Sequence, residues 1–262
     1  MKYLKFLRTY VCLLLGFAAF TACTSEADEV LKDGKGYVSL SLSIEDRFQT
    51  KAVDENDYQD VDNYTVQILQ EGKPVSGCEW AYPEIPESIE LENGSYTLKA
   101  FYGTTDAVTK EAPYVEGMQD FVVDDDLQKI SVSCKLKSAK VMVAFDPSMD
   151  EYFSDYSVVF KTKAMEDDAS FVWTKTASGE TRYFVVEAEE KVDAVMKLTD
   201  KNTGKSAETK MDVTLSPGSN KKYTLKPKVD EETGETGLGI EITIDHSTND
   251  KEVDITIPSN WI

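Results

Sequence analysis

The side chains that could do chemistry are few or undirected. The chain has one histidine, His246, on an expected turn beside Asp245, so a Ser-His-Asp or Cys-His nucleophilic arrangement would rest on that residue alone. A histidine at the polar end of a strand is ordinarily just solvated. Carboxylates pose the opposite problem. Glycoside hydrolysis needs only two of them, but with 48 Asp and Glu in the chain their proximity selects nothing. Asp124-Asp125-Asp126 and Glu166-Asp167-Asp168 offer oxygen ligands suited to calcium. Neither follows the spaced calcium-loop pattern, and both read as solvated acidic turns. No phosphate-binding glycine loop, strand-to-helix GxGxxG, HExxH or paired CxxC occurs. No catalytic residue, metal site or cofactor is therefore expected. Trp80 with Tyr82, and Trp173, are the aromatics that could form a flat platform for a sugar ring. Isolated aromatics on strands more often pack in a core.

Cysteine chemistry depends on how the chain begins. Lys2, Lys5 and Arg8 precede an apolar run from Tyr10 to Phe20, which ends in Thr21-Ala22-Cys23. That order of basic, apolar and small residues reads as a secretory signal over residues 1–22. The run is about half of the roughly 20 residues that a spanning helix needs, so a transmembrane anchor is the poorer reading. Phe20-Thr21-Ala22-Cys23 resembles a bacterial lipobox, with Phe20 where Leu is usual. In such a motif the cysteine thiol is acylated, and two or three acyl chains give the stable anchoring that a single chain does not. Cys23 would then be the lipidated first residue. The acidic stretch Thr24-Ser25-Glu26-Ala27-Asp28-Glu29 resembles the signal that sends Bacteroidetes lipoproteins to the outer face of the outer membrane. Residues 23–36 are read as a lipidated acidic tether, and a merely solvated tether is the alternative to the sorting signal. Cys12 leaves with the signal, so Cys78 and Cys134 remain in an oxidising compartment. They are open to two readings there, a disulfide or two unpaired thiols.

Charge narrows the partners. Against 28 Lys and Arg, the acidic residues leave a net charge of −20. A field of that sign repels nucleic acid and anionic headgroups, so neither is an expected partner. The expected membrane contact is through the lipid anchor.

The elements that must position these residues are strands. Tyr37-Val38-Ser39-Leu40-Ser41-Leu42-Ser43-Ile44 alternates apolar with serine, the pattern of a half-buried strand. Further strands are expected at 64–69, 88–91, 96–102, 120–123, 129–136 and 140–145. Beyond these, the pattern recurs at 156–161, 170–174, 182–186, 193–199, 207–215, 222–226, 239–244 and 252–257. Turn signals such as Glu71-Gly72-Lys73-Pro74 and Ser216-Pro217-Gly218 separate them. No long helical period occurs. About 240 residues follow Ala22, room for two domains of about 100–150 residues. Short strands at regular spacing point to β-sandwiches. A weak echo supports a pair: Asp62-Asn63-Tyr64-Thr65-Val66 followed by Leu91 to Lys99 in the first half, and Ser154-Asp155-Tyr156-Ser157-Val158 followed by Leu215 to Ser219 and Tyr223-Thr224-Leu225-Lys226 in the second. The expected domains are 37–138 and 139–262. At the carboxyl end, the strands from Ile240 and Val253 read as a terminal hairpin with Trp261 tucked onto the sandwich, or, more sharply, as a detachable donor strand.

The segments Tyr64-Thr65-Val66-Gln67-Ile68-Leu69, Gly72-Lys73-Pro74-Val75, Pro83-Glu84-Ile85-Pro86 and Gly94 to Ala100 together resemble a Bacteroidetes lipoprotein family that carries a domain of unknown function and is related to the fimbrillin-like proteins. Ala112-Pro113-Tyr114-Val115-Glu116-Gly117 and Ser133-Cys134-Lys135-Leu136 extend the match. The resemblance implies an all-β chain of two tandem transthyretin-like Greek-key β-sandwiches, an outer-membrane lipid anchor facing the cell exterior, and a role as anchor or subunit of a fimbria. It also implies assembly by strand addition, in which backbone hydrogen bonds give affinity and alternate side chains set register. In shaft subunits of that kind, a protease cuts after Arg or Lys and removes the first strand. Arg47 and Lys51 stand where such a cut would fall. An unprocessed basic loop is the plainer reading, and it would leave the chain on its lipid. Other fimbrial subunits, host surfaces or glycans are the partners implied; a glycan-binding surface lipoprotein is the alternative function.

Overall fold

The structure is a computed structural model, and it describes residues 34–45, 47–48, 57–124, 126–229, 238–246 and 251–255. It is all-β, with one short helix, α1 (Met149–Tyr152), and a few 3-10 turns among the described residues. The first eight strands are β1 (Lys35–Ile44), β2 (Thr65–Gln70), β3 (Lys73–Ala81), β4 (Ile89–Glu92), β5 (Gly94–Tyr102), β6 (Val108–Thr109), β7 (Val115–Val123) and β8 (Leu127–Leu136). The remainder are β9 (Ser138–Phe145), β10 (Phe153–Lys161), β11 (Phe171–Thr174), β12 (Thr181–Val185), β13 (Glu190–Asp200), β14 (Ser206–Leu215), β15 (Asn220–Val229), β16 (Leu238–His246) and β17 (Lys251–Ile255).

One strand order occurs twice. In the first half β1 runs parallel to β8 and antiparallel to β4, while β3-β2-β5-β7 forms the facing layer. In the second, β9 runs parallel to β15 and antiparallel to β12, facing β11-β10-β13-β14. The first part of the echo, around Tyr64 and Tyr156, falls on the corresponding strands β2 and β10, whereas the part around Tyr96 and Tyr223 comes from unlike places, since β5 corresponds to β13 and β15 to β8. The halves also differ, and β6 extends the second beyond β12. The β7 and β8 strands pair at Val115–Leu136 and Glu116–Lys135, joining the first half's layers into one seven-stranded sheet. In the second half, β16 and β17 add antiparallel strands beyond β15.

Alternation decides what each strand buries. In β1, Val38 is fully buried and Leu40, Leu42 and Ile44 pack against the core, while Ser41 Oγ meets Ser131 Oγ on β8 at 2.7 Å. Buried side chains form two clusters, one drawn from Val38 to Leu136 with Tyr183, the other from Ala139 to Ile242. The second is centred on aromatics: Trp173 lies 4.7 Å from Phe171, 5.1 Å from Phe160 and 5.5 Å from Phe184, ring centre to ring centre.

Two strands differ from the sequence expectation. The β3 strand is unannounced because Pro74 and Gly77 interrupt its period, and its ladder with β2 slips between Gln67 and Leu69. The two-residue β6 has no pattern of its own and exists because it lies along β12. The β2–β3 turn is as the residues imply: Glu71 and Gly72 both take positive φ (50° and 75°), the backbone of a two-residue hairpin matched to strand twist. Gly117 answers a different need. A Cβ there would lie 2.4 Å from the Ser133 carbonyl oxygen, so only glycine lets β7 cross β8 where their pairing ends.

Candidate functional site

The first strand and the chain that leaves it form the candidate site. β1 is the middle strand of β4-β1-β8, with four residue pairs to β4 and eight to β8. The Glu45 N–H donates to the Cys134 carbonyl at 3.1 Å, extending the ladder by one bond. At the strand's other end Lys35 Nζ and Tyr37 Oη both donate to Glu90, at 2.5 and 3.0 Å. The hydrogen bond from Lys35 chiefly holds the Glu90 carboxyl below its ordinary range; both partners are exposed, so the pair adds little stability.

Arg47 follows, exposed and outside any strand. The next residue is the reverse. Phe48 is 6% exposed, its N–H donates to Tyr58 Oη at 3.1 Å, and its ring meets Tyr58 edge-on at 5.6 Å. On the other side it meets Tyr183 of β12 at 5.9 Å. Tyr58 is itself held by the first half, since Tyr64 Oη donates to its carbonyl at 2.7 Å. Phe48 thus packs, within the first cluster, on a ring that β12 supplies from the second half of the chain. None of Phe48, Tyr58 and Tyr183 stands out in the sequence reading; the one available signal was a lone Phe in the polar run Asp46-Arg47-Phe48-Gln49-Thr50-Lys51.

Other bonds gather near the same junction. Tyr114 donates its N–H to Ser138 Oγ at 2.9 Å and accepts from the Lys137 N–H at 2.9 Å. The Val185 N–H donates to the Ala107 carbonyl at 3.0 Å, beside the β6–β12 pairs. Tyr114 Oη donates to Glu116, and Lys99 Nζ lies 3.1 Å from the same carboxylate. Burial works to raise the Glu116 carboxyl, but these two hydrogen bonds, with the charges of Lys99 and Lys137, outweigh it and hold the group below its ordinary range.

The remaining sequence candidates are dispersed. Cys78 and Cys134 are not bonded: both are buried free thiols, on β3 and β8. Burial first, then the Glu116 charge, pushes the Cys134 thiol up to about 12, and burial raises Cys78. Both are expected to react with a thiol reagent only after the chain is unfolded, with no prior reduction needed; titration of folded and denatured protein checks this. The proposed sugar platform is also corrected. Trp173 is completely buried, with its indole N–H donating to the Glu180 carbonyl at 3.2 Å. Trp80 and Tyr82 are half-buried against the other cluster. Trp80 pairs with Val66 and so shares its core-facing side. The three aromatics therefore do not converge. Cys23 and Lys51 lie outside the described residues. His246 closes β16 opposite Lys221, on a strand and not in a turn. No metal-ligating cluster and no helix long and apolar enough to cross a membrane occurs among the described residues.

Two packed layers of strands, built twice on one plan with β1 parallel to β8 and β9 parallel to β15, define the class of protein. The profile of the domain of unknown function DUF4493 matches residues 34–259, and the chain belongs to that family. No curated protein matches its sequence. Among solved structures it is similar to the fimbrial anchor protein Mfa2 from Porphyromonas gingivalis, at 13% identity over 85% of this chain and 99% of that one, with a TM-score of 0.44. It is also similar to a fimbrial assembly protein from Parabacteroides distasonis, at 13% identity over 86% and 99% of the two chains, with a TM-score of 0.39. Those roles belong to those proteins.

Proposed function

We propose that this chain is a non-enzymatic surface lipoprotein of the fimbrial kind, held on the outer membrane through Cys23 and built to join other subunits by strand addition. The observation that carries the reading is the place of β1. It is the strand nearest the anchor, lies between two neighbours, and fills the first cluster with alternate side chains. It ends just before an exposed arginine. Its loss would uncover facing edges on β4 and β8. The β16 strand repeats its period, with Leu238, Ile240, Ile242 and Ile244 spaced as Val38, Leu40, Leu42 and Ile44 are, so a neighbouring copy carries a strand of suitable pattern. Division into units 37–138 and 139–262 goes with this reading and is supported by the repeated strand order and the two buried clusters. With Trp173 buried, no observation favours a glycan platform.

Mass spectrometry of the native protein from outer membranes tests the proposal. An acylated Cys23 on an intact chain is the result expected of an anchor, and a terminus at Phe48 or Ala52 that of a polymerising subunit. A soluble, unlipidated, periplasmic chain would overturn the reading.

A further inference from the structure

We infer that Phe48 is a latch on the Arg47–Phe48 peptide bond, which keeps the bond from an arginine-specific protease while the two halves of the chain are packed together. The inference rests on the processing reading above and adds its regulation. Hydrolysis there would add water across the bond, leaving a carboxylate on Arg47 and an amine on Phe48. A protease must draw several residues on both sides of that bond into its cleft in extended form. Arg47 is free to enter. Phe48 is not: its ring is held between Tyr58 and Tyr183, and the nitrogen of the scissile bond is already donating to Tyr58 Oη. The segment also runs close to the second half at Gly218, where a Cβ would lie 3.6 Å from the Arg47 carbonyl oxygen.

Cutting therefore requires a local opening, and its rate follows the population of the open form. Tyr58 belongs to the first half and Tyr183 to β12 of the second, so the latch holds only when both are folded and in contact. A chain with an incomplete second half would lose this protection. After Cys23 the only other arginine is Arg182. It lies in β12, between β9 and β6 in the sheet order, with its guanidinium bonded to Glu180 and stacked 5.0 Å from the Phe171 ring. An arginine-specific protease thus reports on the Arg47 bond with little competition.

The test is proteolysis of the mature chain by such an enzyme, timed by intact mass, with folding checked by circular dichroism and melting. Folded wild type is expected to be cut after Arg47 about tenfold or more slowly than urea-unfolded wild type. Tyr183→Ala, which leaves the sequence around Arg47 unchanged, is expected to recover most of that difference in cutting after Arg47. Tyr58→Phe removes one hydroxyl, keeps the ring and covers the case in which Tyr183→Ala fails to fold; it is expected to accelerate cutting several-fold. Equal rates for folded and unfolded wild type, or folded variants cut no faster than wild type, would overturn the latch. A latch seen in this assay, with the folded Tyr183→Ala variant still uncut in cells, would sink the processing reading and leave the latch standing. A cell-derived terminus at Phe48 with no latch in the assay would do the reverse.

Discussion

Replacing Trp173 with alanine is expected to remove about 3–5 kcal/mol of stability, the range for deleting a large buried aromatic. Trp173 is 0% exposed and packs on Phe160, Phe171 and Phe184, and its N–H is satisfied by the Glu180 carbonyl. Truncation would leave a cavity lined by stiff rings that collapse poorly, and would orphan the Glu180 carbonyl. A loss of that size is a large share of the 5–15 kcal/mol that holds an ordinary domain folded. Urea unfolding followed by circular dichroism measures it. The half-buried Trp80 provides the comparison, with a smaller loss expected on Trp80→Ala. Equal and small effects at both positions would mean that Trp173 is not the centre of the second core.

Removing β1 is expected to change the state of assembly. A chain beginning at Phe48 loses the ladder to β4 and the longer one to β8, together with the buried Val38 and the packed Leu40, Leu42 and Ile44. Each fully buried aliphatic side chain contributes about 1.5–3 kcal/mol, so the truncated chain has several kcal/mol to recover by accepting another strand. Size-exclusion chromatography with light scattering should show a monomer for the intact chain and multimers for the truncated one. Excess synthetic peptide with the sequence of residues 35–44 should suppress the multimers by refilling the slot in trans. A truncated chain that stays monomeric and as stable as the intact one would refute strand addition through this site.

The sequence by itself determined the alternation of β1 and of most later strands, the turn at Glu71-Gly72, and a net charge of −20. These follow from period, local backbone preference and summed charge, none of which needs a distant partner. What could not be read were features that exist only through contact between remote parts of the chain. The β3 strand, broken by Pro74 and Gly77, is held by its hairpin with β2, and β6 is a strand only because β12 is beside it.

Tertiary structure also decided between uses that the residue types leave open. An indole serves a sugar platform or a core equally well by composition; burial assigned Trp173 to the core. Two cysteines in one half pair or stay apart according to where β3 and β8 lie, and Cys78 and Cys134 are apart. Phe48 is the clearest instance. Its neighbours in sequence are polar, but its neighbours in space, Tyr58 and Tyr183, come from both halves of the chain. Period and propensity report which face of a segment is apolar, whereas the partner for that face is chosen by packing, over separations that local sequence does not encode.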